Sequence, residues 1–113
     1  LESGDVSALH RLRSDEMWYF HTGGSLLIHA ISSAGLLHTQ RLGSDIERGD
    51  ALQAQVAQGE WFGAELEAAG TYALMSCTVA PGFEFADFEL ARGADLAAQY
   101  PRHQELIERL ARR

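Results

Sequence analysis

Short runs with the composition of β-strands, separated by turn residues, fill the first 80 residues of the chain. There are seven such runs, at positions 6–13, 17–21, 26–31, 36–42, 51–56, 60–66 and 71–79. Glycines between them, such as Gly23 and Gly24, supply the backbone freedom that tight turns need. Short strands at a spacing of roughly 8–12 residues are typical of an antiparallel sandwich or barrel. No helical stretch is long enough for the crossovers of a parallel sheet.

The pattern becomes helical at position 93. Two segments rich in helix formers follow, and Leu106, Ile107 and Leu110 share one face of the second. Pro101 suits the first turn of that helix, because proline lacks the N–H that would be unpaired there. We therefore predict an all-β barrel or sandwich with a short C-terminal helical extension. The predicted boundaries are a single domain over 1–113, with the barrel over 1–92 and the tail over 93–113.

The charge balance and length of the chain narrow the classes of function. With 9 Lys+Arg against 16 Asp+Glu, the net charge is −7, which argues against nucleic acid as a partner because phosphate binding requires a basic surface. The longest apolar stretch, 25–31, falls far short of the ~20 residues of a membrane helix, so no membrane partner is expected. A single cysteine, Cys77, and the lack of a recognisable secretory signal favour a cytoplasmic location.

If His10 faces inward and the turn at 14–15 preserves the register, strand parity places four more side chains on the same inward face: Leu12, Glu16, Trp18 and Phe20. A carboxylate beside aromatic rings is costly unless it is paired or solvated, and a polar pocket inside a barrel would solvate it. The alternative is that Glu16 lies at a strand edge and that His10 is an ordinary structural histidine. Periodicity leaves both interpretations open.

Several motifs resemble the cupin superfamily. The stretch His10-Arg-Leu-Arg-Ser-Asp-Glu16, followed by six residues and Gly23, resembles the first cupin motif, and residues 49–62 are similar to a degenerate second motif. The longer strings 9–18 and 77–90, together with Tyr100-Pro-x-His103 and the closing helix, resemble one small cupin subfamily that is labelled a domain of unknown function.

This resemblance implies a double-stranded β-helix, or jelly-roll barrel, with a ligand pocket inside it. Relatives include nucleotide-sugar epimerases and isomerases, and the subfamily tends to form homodimers. Relatives also carry a segment ahead of the position where this sequence begins. An uncovered sheet edge exposes unpaired backbone groups and favours pairing with another chain, which adds to the expectation of a homodimer.

The residues depart from the metal-binding pattern that the resemblance implies. Cupins that bind a metal usually supply three histidines and one glutamate, and this chain keeps His10 and Glu16. Leu12 stands where the second histidine of the first motif would be, and Phe62 stands where the histidine of the second motif would be. Neither side chain can coordinate a metal. We therefore expect no cofactor, with a weakly bound divalent metal at His10 and Glu16 as the alternative.

The candidate catalytic residues are His10, Glu16 and Tyr72. In an epimerase or isomerase of this family, His10 would be the base, Glu16 would orient it or act as an acid, and Tyr72 would donate a proton from an inward position. The alternative is a vestigial site that binds a polar ligand without chemistry. The candidate ligand pocket consists of Trp18, Phe20 and Phe62, whose alternative role is ordinary barrel core.

Other residues receive structural roles or a role at an interface. Trp61 has the opposite parity to Phe62 and is expected to point outward, where tryptophan is often an interface residue. His29 and His38 flank the turn near position 35 and are expected to face solvent. Cys77 lies in an apolar run and is expected to be buried.

Three functional hypotheses follow. The first is a cupin that binds a small polar ligand, carbohydrate or nucleotide-sugar-like, inside the barrel. The second is a sugar epimerase or isomerase that uses His10 as its base. The third is a non-catalytic interaction protein whose interface contains Trp61 and the open N-terminal edge.

Overall fold

A computed structural model describes residues 6–68, 71–80, 89–90 and 93–110 of the chain. The strands in these ranges are β1 (Val6–Arg11), β2 (Asp15–Gly23), β3 (Leu26–Ile31), β4 (Leu37–Leu42), β5 (Gln53–Val56), β6 (Trp61–Leu66), β7 (Ala73–Ala80) and β8 (Glu89–Leu90). The helices are α1 (Gly93–Gln99) and α2 (Gln104–Leu110), and 3₁₀ turns cover Ile46–Arg48 and Pro101–His103. Each of the seven predicted runs contains a strand, and the predicted helical tail is present. None of the helices in these ranges has the length and hydropathy that crossing a bilayer requires.

The strands form two antiparallel sheets. In the described part of the chain, the order is β4-β3-β6-β1-β8 in a five-stranded sheet and β5-β2-β7 in a three-stranded one. Strands of both sheets contribute alternate side chains to one shared core, as expected for sheets packed face to face. This arrangement is a jelly roll, and the all-β prediction is confirmed.

The inner core lies between the two sheets. Its buried members come from β2 to β6 and from the β1–β2 turn, and are Leu12, Trp18, Leu26, Ile28, Ala30, Leu42, Ala54, Val56, Phe62 and Ala64. Phe20, Leu66, Met75 and Val79 pack against this cluster from partly buried positions. Because Leu12, Trp18 and Phe20 all belong to it, the predicted inward parity of these residues is correct.

A second core lies on the outer face of the five-stranded sheet. It contains Leu9, Ile31, Trp61, Leu96, Ile107 and Leu110. The helical tail therefore covers this face, which explains why nearly every residue of β3 is buried although strand side chains alternate between two faces.

Trp61 belongs to this second core and is 9% exposed. The Arg11 guanidinium carbon lies 4.4 Å from the centroid of the Trp61 ring, within the range of a cation–π contact. The prediction that Trp61 and Phe62 project from opposite faces of β6 is right. The prediction of an exposed interface residue is wrong, because α2 and α1 cover the ring.

His29 is also buried, and the expectation that it faces solvent is wrong. Its Nδ1 lies 2.8 Å from Thr39 Oγ1 and its Nε2 lies 2.7 Å from Glu65 Oε2. Arg109 of α2 donates to both Glu65 oxygens, at 3.0 and 2.7 Å. Burial opposes ionisation, but the hydrogen bonds from Arg109 and His29 hold the pKa of Glu65 below its usual range. Glu65 therefore ties the tail to the sheet, whereas His38 remains exposed, as predicted.

Candidate functional site

Three aromatic rings from both sheets meet inside the barrel. His10 of β1 pairs with Phe62 of β6 in register, and their ring centroids are 4.1 Å apart with a 51° tilt. The Phe62 ring also meets Trp18 of β2 edge-on, at 6.4 Å and 80°. Phe62 thus joins His10 and Trp18 across the barrel into one continuous surface.

Glu16 adds a carboxyl group to this inward surface. It pairs in register with Val79, which packs on the inner core, so Glu16 projects from the same face of the sheet. The residue is only 8% exposed, and its Oε2 is buried without a hydrogen-bond partner among the described residues. The indole Nε1 of Trp18, two positions along β2, is buried without a partner in the same part of the structure. A buried polar atom without a partner costs about 1–3 kcal/mol, so both are candidates for contact with a ligand.

Burial biases both titratable groups of the site toward their uncharged forms. It raises the pKa of Glu16, although the Trp18 indole N–H, which lies near the carboxyl without meeting hydrogen-bond geometry, lowers it in part. Burial likewise lowers the pKa of His10, and the 2.7 Å hydrogen bond to the Ala8 carbonyl raises it in part. Since a carbonyl only accepts, His10 Nδ1 is the donor, and Nε2 is the basic nitrogen of the neutral ring.

Cys77 lies on the same inward face, a position that sequence reasoning did not give it. It pairs with Trp18 in register, so the two side chains project from one side of the sheet. Cys77 is nevertheless exposed, and the prediction that it is buried is wrong. The inward face of β7 is therefore exposed at Cys77, next to the buried Trp18. Partial burial of the thiol among its neighbours, with a smaller contribution from Glu16, raises its pKa to about 12.

Strand parity could have found Cys77, because alternate residues of β7 face the inner core. Met75 and Val79 pack against it, and Cys77 lies between them in the same alternation. The apolar composition of the run suggested burial instead.

The structure does not bring Tyr72 to this site. Tyr72 precedes the inward-facing Ala73, so alternation points it outward, and it is 55% exposed. It also lies five residues from Cys77 along an extended segment, about 16 Å at a rise of ~3.3 Å per residue. The predicted inward position of Tyr72 is therefore wrong. By contrast, the Phe62 ring meets both His10 and Trp18, and Glu16 lies near Trp18 on β2.

The residues present do not fit the metal centre that the sequence resemblance implies. Leu12 and Phe62, at two of the expected ligand positions, are buried in the inner core, and the Phe62 ring packs against His10. Within the described residues, no group of three or more His, Cys, Asp or Glu side chains is placed to hold a metal ion. The chemistry of the site is accordingly that of His10, Glu16 and their aromatic neighbours.

Two antiparallel sheets that enclose an aromatic and polar cluster define a jelly-roll barrel with an internal site. The family model described as "Cupin superfamily (DUF985)" matches residues 1–91. The chain belongs to this family.

Solved structures of two relatives resemble the whole chain. A protein from Shewanella oneidensis is 46% identical with a TM-score of 0.94, and the match covers 99% of this chain and 70% of that one. A hypothetical protein from Leishmania major is 35% identical with a TM-score of 0.86, over 96% of this chain and 70% of that one. No curated protein matches the sequence.

Oxalate decarboxylase from Bacillus subtilis shares the fold at a greater distance. It is 18% identical with a TM-score of 0.63, over 97% of this chain and 29% of the enzyme. At this identity the likeness shows the fold alone.

The raised pKa of Glu16 predicts that stability falls as pH rises. Above its ordinary pKa of 4.5, the carboxyl ionises in the unfolded chain but keeps its proton in the folded one. The folded state then binds more protons, so the free energy of unfolding decreases until the folded pKa is passed. We expect wild type to lose stability relative to Glu16→Gln across this window, as measured by urea denaturation of both proteins at a series of pH values. A difference that stays constant with pH would contradict the shift.

Proposed function

We propose that this protein binds a small, uncharged polar ligand of carbohydrate type inside the barrel, in contact with Glu16 and Trp18. One observation carries the proposal. A buried acceptor, Glu16 Oε2, and a buried donor, Trp18 Nε1, lie two residues apart on the inward face, and neither has a partner in the described part of the chain. The same face is exposed at Cys77, which pairs with Trp18.

A hydroxyl-bearing ring matches these groups chemically. One hydroxyl can donate to a carboxylate oxygen or accept from an indole N–H, so a ligand with two hydroxyls can satisfy both atoms. Such a ligand also has apolar C–H surfaces, and the partly exposed ring of His10, stacked on the buried Phe62, offers an apolar contact. Pockets for small molecules generally combine an apolar lining with a few fixed polar groups.

The charges of the site favour a neutral ligand over an anionic one. Burial keeps His10 and Glu16 toward their uncharged forms, and among the described residues no arginine contributes to the pKa of Glu16. Arg11, near His10 in sequence, stacks on Trp61 at the outer face. A diphosphate would need cationic partners. We therefore favour a sugar-like ligand over the nucleotide-sugar alternative.

Binding without turnover is better supported than proton transfer. A neutral His10 is suited to accept a proton at Nε2, but epimerisation also needs an acid on the other side of the ring. The residue assigned to that role, Tyr72, lies at the far end of β7. His10 is accordingly proposed as a ligand contact.

The test is calorimetric titration of monosaccharides into the wild-type protein and Trp18→Phe. The variant keeps an aromatic ring and removes the Nε1 donor, so we expect affinity to fall about three- to tenfold, the worth of one neutral hydrogen bond. Tyr19→Phe is the matched control, because it removes a polar group from the opposite face of the same strand. Equal affinities of wild type and Trp18→Phe, or no binding of any monosaccharide, would overturn the proposal.

A further inference from the structure

The segment Tyr100-Pro-Arg-His103 lies outside the barrel, and the proposed function does not use it. It faces the turn that joins β3 to β4, and a cavity of about 340 Å³ lies between turn residues 33–36 and tail residues 99–103. This volume lies in the range of ~300–1,000 Å³ that is typical of small-molecule sites.

Two contacts fix the walls of this cavity. His103 Nε2 donates to the Gly35 carbonyl at 3.0 Å, which ties the tail to the turn. Gly35 has a φ of +80°, and a Cβ at this position would lie 3.3 Å from two carbons of the Tyr100 ring. Glycine thus permits both the left-handed backbone and the close approach of the ring. The segment is held against the turn from both of its ends.

Arg102, between these two anchors, lines the cavity and is exposed. No hydrogen bond or ion pair holds it among the described residues, whereas Arg41, Arg48 and Arg109 all pair with carboxylates. Among the described residues, no Asp or Glu lines the cavity, and its charged side chain is the cation of Arg102.

The other polar groups of the cavity can also donate hydrogen bonds. The Tyr100 hydroxyl accepts from Gln99 Nε2 at 3.2 Å, which leaves its own O–H to donate. Ser33 supplies a second hydroxyl, and Leu36 supplies an exposed apolar side chain. Donors, one cation and an apolar contact define the chemistry of a ligand that carries an acceptor group and an apolar body.

We infer that this cavity binds a small organic anion, with its carboxylate or phosphate group against Arg102 and its apolar body against Tyr100 and Leu36. The site is distinct from the barrel interior, because its residues belong to the β3–β4 turn and the tail. It extends toward a second groove of about 310 Å³, which shares Arg102 but also contains Glu105. Because Glu105 would repel an anion, the anionic group of the ligand is placed at the end of the cavity formed by turn residues 33–36, away from the second groove.

The inference is tested by titrating benzoate into the ¹⁵N-labelled protein and following backbone amide shifts. We expect saturable shifts confined to residues 33–36 and 99–103. Benzamide, which has the same ring without the charge, is expected to bind at least about tenfold more weakly, the loss of one charge-assisted contact. A titration with inorganic phosphate distinguishes the two anionic groups. If phosphate competes with benzoate, the natural ligand carries a phosphate group; if phosphate does not compete, the ligand carries a carboxylate.

The variant Arg102→Gln is expected to weaken benzoate binding at least about tenfold. Arg13→Gln is the matched control, because Arg13 is an exposed arginine outside the cavity and its removal lowers the net charge equally. Equal weakening by both variants, equal affinity for benzoate and benzamide, or no shifts at the turn with either anion would overturn the inference. Monosaccharide binding is measured separately, so the two proposals fail independently.

Discussion

Replacement of Phe62 with alanine is expected to lower the free energy of unfolding by about 3–5 kcal/mol, as large-to-small changes of buried aromatic residues do. Phe62 is 1% exposed and contacts His10 of one sheet and Trp18 of the other. Alanine would leave a cavity where the two sheets meet, and the surrounding strands can collapse into it only in part. The measurement is urea denaturation followed by circular dichroism.

Leu36→Ala is the control for this experiment, because it also shortens a large hydrophobic residue but at a position that is 64% exposed. Its expected effect is within about 0.5 kcal/mol of zero. A loss of less than about 1 kcal/mol in Phe62→Ala would mean that this ring does not join the two sheets, since buried Phe→Ala changes cost more than that.

Replacement of Trp61 with alanine is expected to destabilise the fold by a similar amount, about 3–5 kcal/mol. Trp61 lies beneath the tail, in a cluster with Ile107 and Leu110, and Arg11 stacks on its ring. Its removal empties the contact between the sheet and α2. Urea denaturation measures the loss, with Leu74→Ala, at a position 56% exposed on β7, as the control.

The same variant separates a core residue from an interface residue. If Trp61 formed an interface between copies, Trp61→Ala would yield a smaller species by light scattering while the folded chain kept its stability. We expect the reverse: reduced stability and an unchanged mass of the folded protein. The homodimer itself stays a prediction. In the described part of the chain, Tyr72 and Leu74 are exposed near the edge strand β7, and this edge suits a second copy better than Trp61 does.

The sequence by itself determined the strands. It also determined from which face of its strand each side chain near the first motif projects. Alternation has a period of two residues, so one inward residue such as Trp18 fixes its neighbours Glu16 and Phe20 along the same strand. The positions of the turns and the helical tail were also predicted, because glycine, proline and helix formers act locally. Local rules therefore gave an antiparallel barrel or sandwich and the shared face of Glu16, Trp18 and Phe20, whereas the jelly-roll barrel was implied by the family resemblance.

Only the tertiary structure decided what covers each face. Parity placed Trp61 outward, but residues more than 40 positions later in the chain, Ile107 and Leu110, pack over it. His29 is buried for the same reason, since Glu65 and Arg109 close over it. Cys77 shows the converse, because it faces inward and is still exposed. Burial depends on contacts between segments far apart in sequence, whereas periodicity reports only the direction of a side chain from its own strand.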